Sequence, residues 1–102
     1  MKHVKEPKAC ENIREIRDAI DKIDLEIIHL FAHRQQYVKE IVKFKSGDED
    51  IIASERKEQV LKERKKWAED SGIDPGMIEN VFRLLIEKNI QIQFDIYNNQ
   101  GN

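Results

Sequence analysis

A chain of 102 residues, 39% hydrophobic and 37% charged, has room for one small domain with a thin core and long solvated faces. Its formal net charge of −2 argues against nucleic acid as the main partner, and no apolar run nears the roughly 20 residues that span a bilayer. The opening MKHVKEPKAC lacks the apolar core of an export signal and the single Cys10 forbids an internal disulfide, so a cytoplasmic location is expected.

Three helices are predicted, making an all-α fold. The first spans residues 11–46, roughly 50 Å at 1.5 Å per residue. Apolar residues recur at Ile13, Ile16, Ile20, Ile23 and Ile27, alternately three and four apart, which is the spacing of one buried helix face. The stripe passes Leu30 and Phe31, then meets Arg34, Val38, Ile41 and Lys45, with Arg17 beside it. Charge on a core face is costly unless paired, and a dianionic small molecule would supply the counter-charge. So long a helix cannot bury itself in a domain of this size and needs a partner helix along its length. Residues 46–50 read as a polar break.

The second helix is expected over 53–71, with Ser54 as N-cap. Its inner face is Arg56, Val60, Arg64 and Trp67, with Leu61 and Ala68 beside it, and Gly72 suits the left-handed position after its end. Asp74 caps the third helix, 75–98, and Pro75 takes its first turn. Ile78, Val81, Phe82, Leu85, Ile92 and Ile96 point inward, and Asn89 and Gln93 fall on the same stripe. The tail, residues 98–102, is expected to fray.

Arg34 and Lys45 are 11 residues apart, which in an α-helix returns to within roughly 20° at about 16 Å along the axis. Two long side chains could converge there on a small ligand. Arg17 lies about 25 Å from Arg34 and cannot reach the same ligand from the same chain. If the long helix pairs antiparallel with its copy in a twofold homodimer, Arg17 of one protomer enters the site of the other, giving two shared sites.

The segments IREIRDAIDKIDLEII, YVKEIVKFK, ERKEQVLKERKKWAEDSGID and LIEKNIQIQ, in this order and spacing, resemble the all-helical chorismate mutase family over residues 12 to about 97. Within it the chain is most similar to the isochorismate-pyruvate lyases of salicylate and siderophore biosynthesis. The resemblance implies an intertwined homodimer without cofactor or metal. It implies that Arg17 reaches a substrate carboxylate across the dimer and that Arg34 grips a carboxylate within the protomer. Lys45, beside a loop that orders on ligand binding, and Gln93 would contact the ether oxygen from two sides, and Arg56 matches an arginine of the family's second helix. Mutases commonly carry an aspartate three residues before that arginine and a glutamate just after it; here Ala53 and Lys57 stand there, as non-acidic residues do in the lyases. Glu87 and Asn89 look more like the mutases. The expected function is conversion of isochorismate to salicylate and pyruvate with weaker chorismate mutase activity. The alternatives are a chorismate mutase, or a non-catalytic helical dimer that binds an aromatic metabolite or partner protein.

Plainer readings compete residue by residue. Arg17, Arg34 or Arg56 alone would read as paired with one of the 20 acidic residues; the set with Lys45, Gln93 and Asn89 reads as a substrate site. His29 and His33 share a face with Glu26 at zinc-ligand spacing, yet a surface position is the simpler reading, and no metal is expected. Trp67 reads as a packing residue, Cys10 as part of a frayed start, and Lys62, Arg64, Lys65 and Lys66 as a solvated face.

Overall fold

The computed structural model describes residues 4–99, and among them there is helix but no strand. Asn12 starts α1, Ile13–Glu40, by accepting the Glu15 amide on its Oδ1 at 2.9 Å. The start is not frayed, contrary to expectation. Pro7–Ala9 form a 3-10 turn, Lys5 pairs with Glu15 at 2.8 Å, and Cys10 is half-buried with its Sγ 3.6 Å from the Glu6 carbonyl.

The chain divides into two compact units, Met1–Gln36 and Tyr37–Asn102. The first is the N-terminal turn and most of α1, and nothing in α1 is buried. Ile13 is 62% exposed, Ile20 49% and Ile28 60%, so the predicted apolar face exists and, among the described residues, stays largely exposed. Along Ile16, Ile20 and Ile23 it forms one wall of a 330 Å³ groove whose other wall is the segment from Val4 to Cys10.

The second unit holds the core. The expected first helix stops six residues early, at Glu40, and Ile41–Phe44 wind as a 3-10 turn. The β-branched pair Ile41-Val42 loses side-chain freedom in an α-helix, and the tighter turn buries Val42 while Ile41 stays 43% exposed. The α-helical count from Arg34 therefore does not carry through to Lys45, which is extended (φ −94°, ψ 138°). The expected polar break at 46–50 contains the start of a short helix, α2, Asp48–Ile52, because Ile51 provides an apolar anchor at 2% exposure.

α3 is Ser54–Asp70, and Ser54 is its first helical residue rather than its cap. The cap position falls to Ala53, left-handed at φ 45° and ψ 57°, with no side-chain bond to the helix. The expected inner face shifts as well. Val60, Leu61 and Ala68 are buried, while Arg56 and Trp67 are exposed at the margin of that face. The α3 end follows expectation: Gly72 takes φ 75° and the Ile73 amide bonds back to Ala68. Asp74 then caps α4, Pro75–Asn99, its Oδ1 accepting the Gly76 amide at 3.0 Å. α4 packs against α3, α2 and the Ile41–Phe44 turn, so it is the hub of this unit. Val81, expected inside, is 39% exposed. Asn98 and Asn99 complete α4 instead of fraying, and residues 100–102 of the expected tail lie outside the described residues.

Ala53 yields a stability prediction. A non-glycine residue in the left-handed region costs roughly 1–2 kcal/mol, part of which glycine's greater unfolded-state entropy offsets. Ala53→Gly should therefore stabilise the fold by about 0.5–1 kcal/mol, raising Tm by a few degrees at fixed chain concentration. A lowered Tm would mean that the Ala53 methyl packs usefully.

Candidate active site

Four of the six expected site residues lie in the second unit. Lys45 directly follows the 3-10 turn that packs on α4, and α4 carries Asn89 and Gln93 one helical turn apart. Lys45 and Asn89 are half-buried, whereas Gln93 is 8% exposed and is the buried polar residue of the core. Its Oε1 is buried without a hydrogen-bond partner among the described residues. An unsatisfied buried amide oxygen costs about 1–3 kcal/mol. A glutamine held in that state is poor for stability and well suited to a polar ligand, because turning the amide exchanges its acceptor for its donors.

Lys45 is held rather than loose. Its Nζ donates to the Asp50 carbonyl oxygen at 2.7 Å. Asp50 Oδ2 accepts the Ser46 hydroxyl at 2.6 Å and the Ser46 amide at 3.0 Å. The hydroxyl bond first and then the amide bond lower the Asp50 carboxyl below its ordinary pKa. These contacts were not expected, because residues 46–50 read as a polar break; the Ser46–Asp50 spacing of one helical turn was the available signal.

Arg56 is exposed and lies along α3, donating to Gln59 Oε1 at 3.0 Å with Glu63 Oε1 at 3.7 Å. Arg64 meets the same Glu63 oxygen at 3.3 Å and stacks on Trp67, 4.4 Å from the ring centroid, and on Phe82 at 5.7 Å. Burial first, and then the nearby Arg56, push Arg64 below its ordinary pKa against the pull of Glu63. Trp67 is thus a packing surface for a cation although it is 55% exposed.

Arg17 and Arg34 belong to the first unit. Arg17 is exposed, with no side-chain hydrogen bond or ion pair to another described residue, and Arg34 is half-buried. Their separation along α1 is about 25 Å, so no small ligand meets both within one chain. His29 and His33 are exposed, and among the described residues no three His, Cys, Asp or Glu side chains stand close enough to hold a metal ion. No helix among them is long and apolar enough to cross a membrane.

Gln93 thus presents a buried amide and Lys45 a tethered ammonium, groups that can bind and orient a ligand rather than act as nucleophiles. Comparison with known proteins agrees in class. The family model of chorismate mutase type II matches residues 16–94, and the chain belongs to that family, with its all-α fold and its kind of enzyme. It is 40% identical to the isochorismate pyruvate lyase of Pseudomonas aeruginosa over 83 residues, 81% of this chain and 82% of that protein. It is 30% identical to the chorismate mutase of Methanocaldococcus jannaschii over 84 residues, 81% of this chain and 85% of the other. It is 38% identical to the T-protein of Haemophilus influenzae over 74 residues, which are 72% of this chain and 20% of that longer protein.

Proposed function

We propose that this protein is an isochorismate-pyruvate lyase with weaker chorismate mutase activity in the same site, acting as a homodimer with two shared sites. One observation carries the choice of reaction: Ala53 and Lys57 occupy the positions where mutases resembling this chain carry acids. The glutamate missing at 57 is the group that would hold the chorismate ring hydroxyl. The 40% identity to a protein named isochorismate pyruvate lyase supports the same choice. The dimer is supported by the apolar face of α1, which a second copy's helix would cover.

Both reactions need an enol-ether dicarboxylate folded into a reactive conformer, with positive charge near the breaking C–O bond. Arg17 of one protomer and Arg34 of the other hold the two carboxylates through charge-assisted forks, removing conformational freedom before the barrier. Arg56, once turned from Glu63, adds a third cation, and Asn89 offers a neutral polar contact. As the ether bond breaks, a ring hydrogen passes to the enol methylene, which becomes the pyruvate methyl group, and the ring becomes aromatic salicylate. Negative charge grows on the ether oxygen, where Lys45 and the Gln93 amide donate. No nucleophile enters this chemistry.

Salicylate fluorescence and prephenate formation, followed on one enzyme batch, test the reading. kcat/KM for isochorismate should exceed that for chorismate; the reverse order makes the protein a mutase. Lys57→Glu restores an acid and should shift the ratio toward prephenate. An unchanged ratio would show that position 57 does not set the choice.

A further inference from the structure

The bonds joining residues 45, 46 and 50 form a closed set that the proposed mechanism leaves unused. Asp50 contributes at two points. Its carbonyl oxygen accepts Lys45 Nζ at 2.7 Å, and its carboxylate accepts both the amide and the hydroxyl of Ser46, the residue next to Lys45. The 2.6 Å hydroxyl contact is in the range of charge-assisted O–H···O⁻ bonds, the stronger kind. The pattern is a displaced capping box: Asp50 is the third residue of α2 and reaches back to the amide just before the Gly47 cap.

Asp50 is itself anchored. The next residue, Ile51, is 2% exposed, and α2 packs on α4, the helix of Asn89 and Gln93. A lysine side chain free of such ties explores many rotamers. Here one of its three N–H donors is fixed on a backbone oxygen, which leaves two for a ligand.

We propose that Asp50 is a positioning residue for Lys45: its carboxylate ties Ser46 to α2, and that tie brings its carbonyl to the Lys45 ammonium and aims the remaining donors at the substrate. The inference rests on the proposed role of Lys45 at the ether oxygen. Asp50 touches no substrate atom; it acts through the loop.

The test uses the full chain with four variants, Asp50→Ala, Asp50→Asn, Lys45→Ala and the Lys45/Asp50 double alanine, assayed with isochorismate and chorismate. Asp50→Ala should lower kcat about ten- to a hundredfold with little change in KM, the scale expected when a catalytic group is displaced by about an ångström. Asp50→Asn keeps a neutral acceptor of the same shape and should recover part of that loss. In the Lys45→Ala background, Asp50→Ala should cost nothing further, since no ammonium remains to position. Amide exchange at Ser46 in the ligand-free protein should accelerate in Asp50→Ala, a readout independent of turnover. Additive losses in the double variant, or wild-type kcat in Asp50→Ala, would overturn the positioning role. A Lys45→Ala protein of normal kcat would instead overturn the role of Lys45, whatever the exchange rates show.

Discussion

Mixing inactive Arg17→Ala protein with inactive Arg34→Ala protein should restore activity that neither variant has alone. In the proposed dimer each site takes Arg17 from one protomer and Arg34 from the other. Removing one partner of a desolvated charge pair costs about 2–5 kcal/mol, a loss on the order of thirtyfold to several thousandfold in each variant. After random subunit exchange about half of the dimers are mixed. Each mixed dimer has one site with both arginines and one with neither, so about a quarter of all sites should work. The distances require this arrangement if both residues touch one substrate, because α1 separates them by about 25 Å within a chain. No recovery after verified exchange would show that the two arginines do not share a site. A stable folded monomer in sedimentation at micromolar concentration would remove the shared site altogether.

Lys45→Ala should lower kcat by on the order of 10²–10³, as loss of one donor to a developing oxyanion does. The substituted chain should still fold, because Lys45 is half-buried in an extended stretch and its Nζ bonds a backbone oxygen that water can serve equally well. The substrate carboxylates would keep their arginine partners, so KM should change little. A raised KM with near-normal kcat would make Lys45 a ground-state binder instead. Gln93→Ala removes the second donor, but it also relieves a buried amide with an unpartnered oxygen. Activity and stability should therefore part company there, with kcat falling while Tm holds or rises.

These two expectations draw on different kinds of information. The α1 seam and the third-helix stripe with Asn89 and Gln93 are legible in the sequence, since each is a periodicity within one element and a helix fixes the spacing of its own side chains. The caps at Asp74 and Gly72 are legible for the same reason, because their chemistry is local. The likeness of ordered segments to a known family identified the fold and the six candidate site residues.

Residues 41–53 were not legible. By pattern, Ile41 and Lys45 extend the α1 stripe; in the structure, packing against α4 buries Val42 and Ile51, ends the α-helix at Glu40 and leaves Ala53 in the left-handed region. The bond from Lys45 to Asp50 follows from that path. The inner face of α3 likewise depends on how α3 meets α4, which turned Val60, Leu61 and Ala68 inward and left Arg56 and Trp67 at the margin. The sequence by itself determined the three long helices, the ends at Asp74 and Gly72, and the polar residues on their apolar stripes, because these depend on neighbours three or four positions away. Only the tertiary structure decided how the chain turns from α1 to α3 and what restrains Lys45, because burial of Val42 and Ile51 against a helix dozens of residues away outweighs the local helical preference.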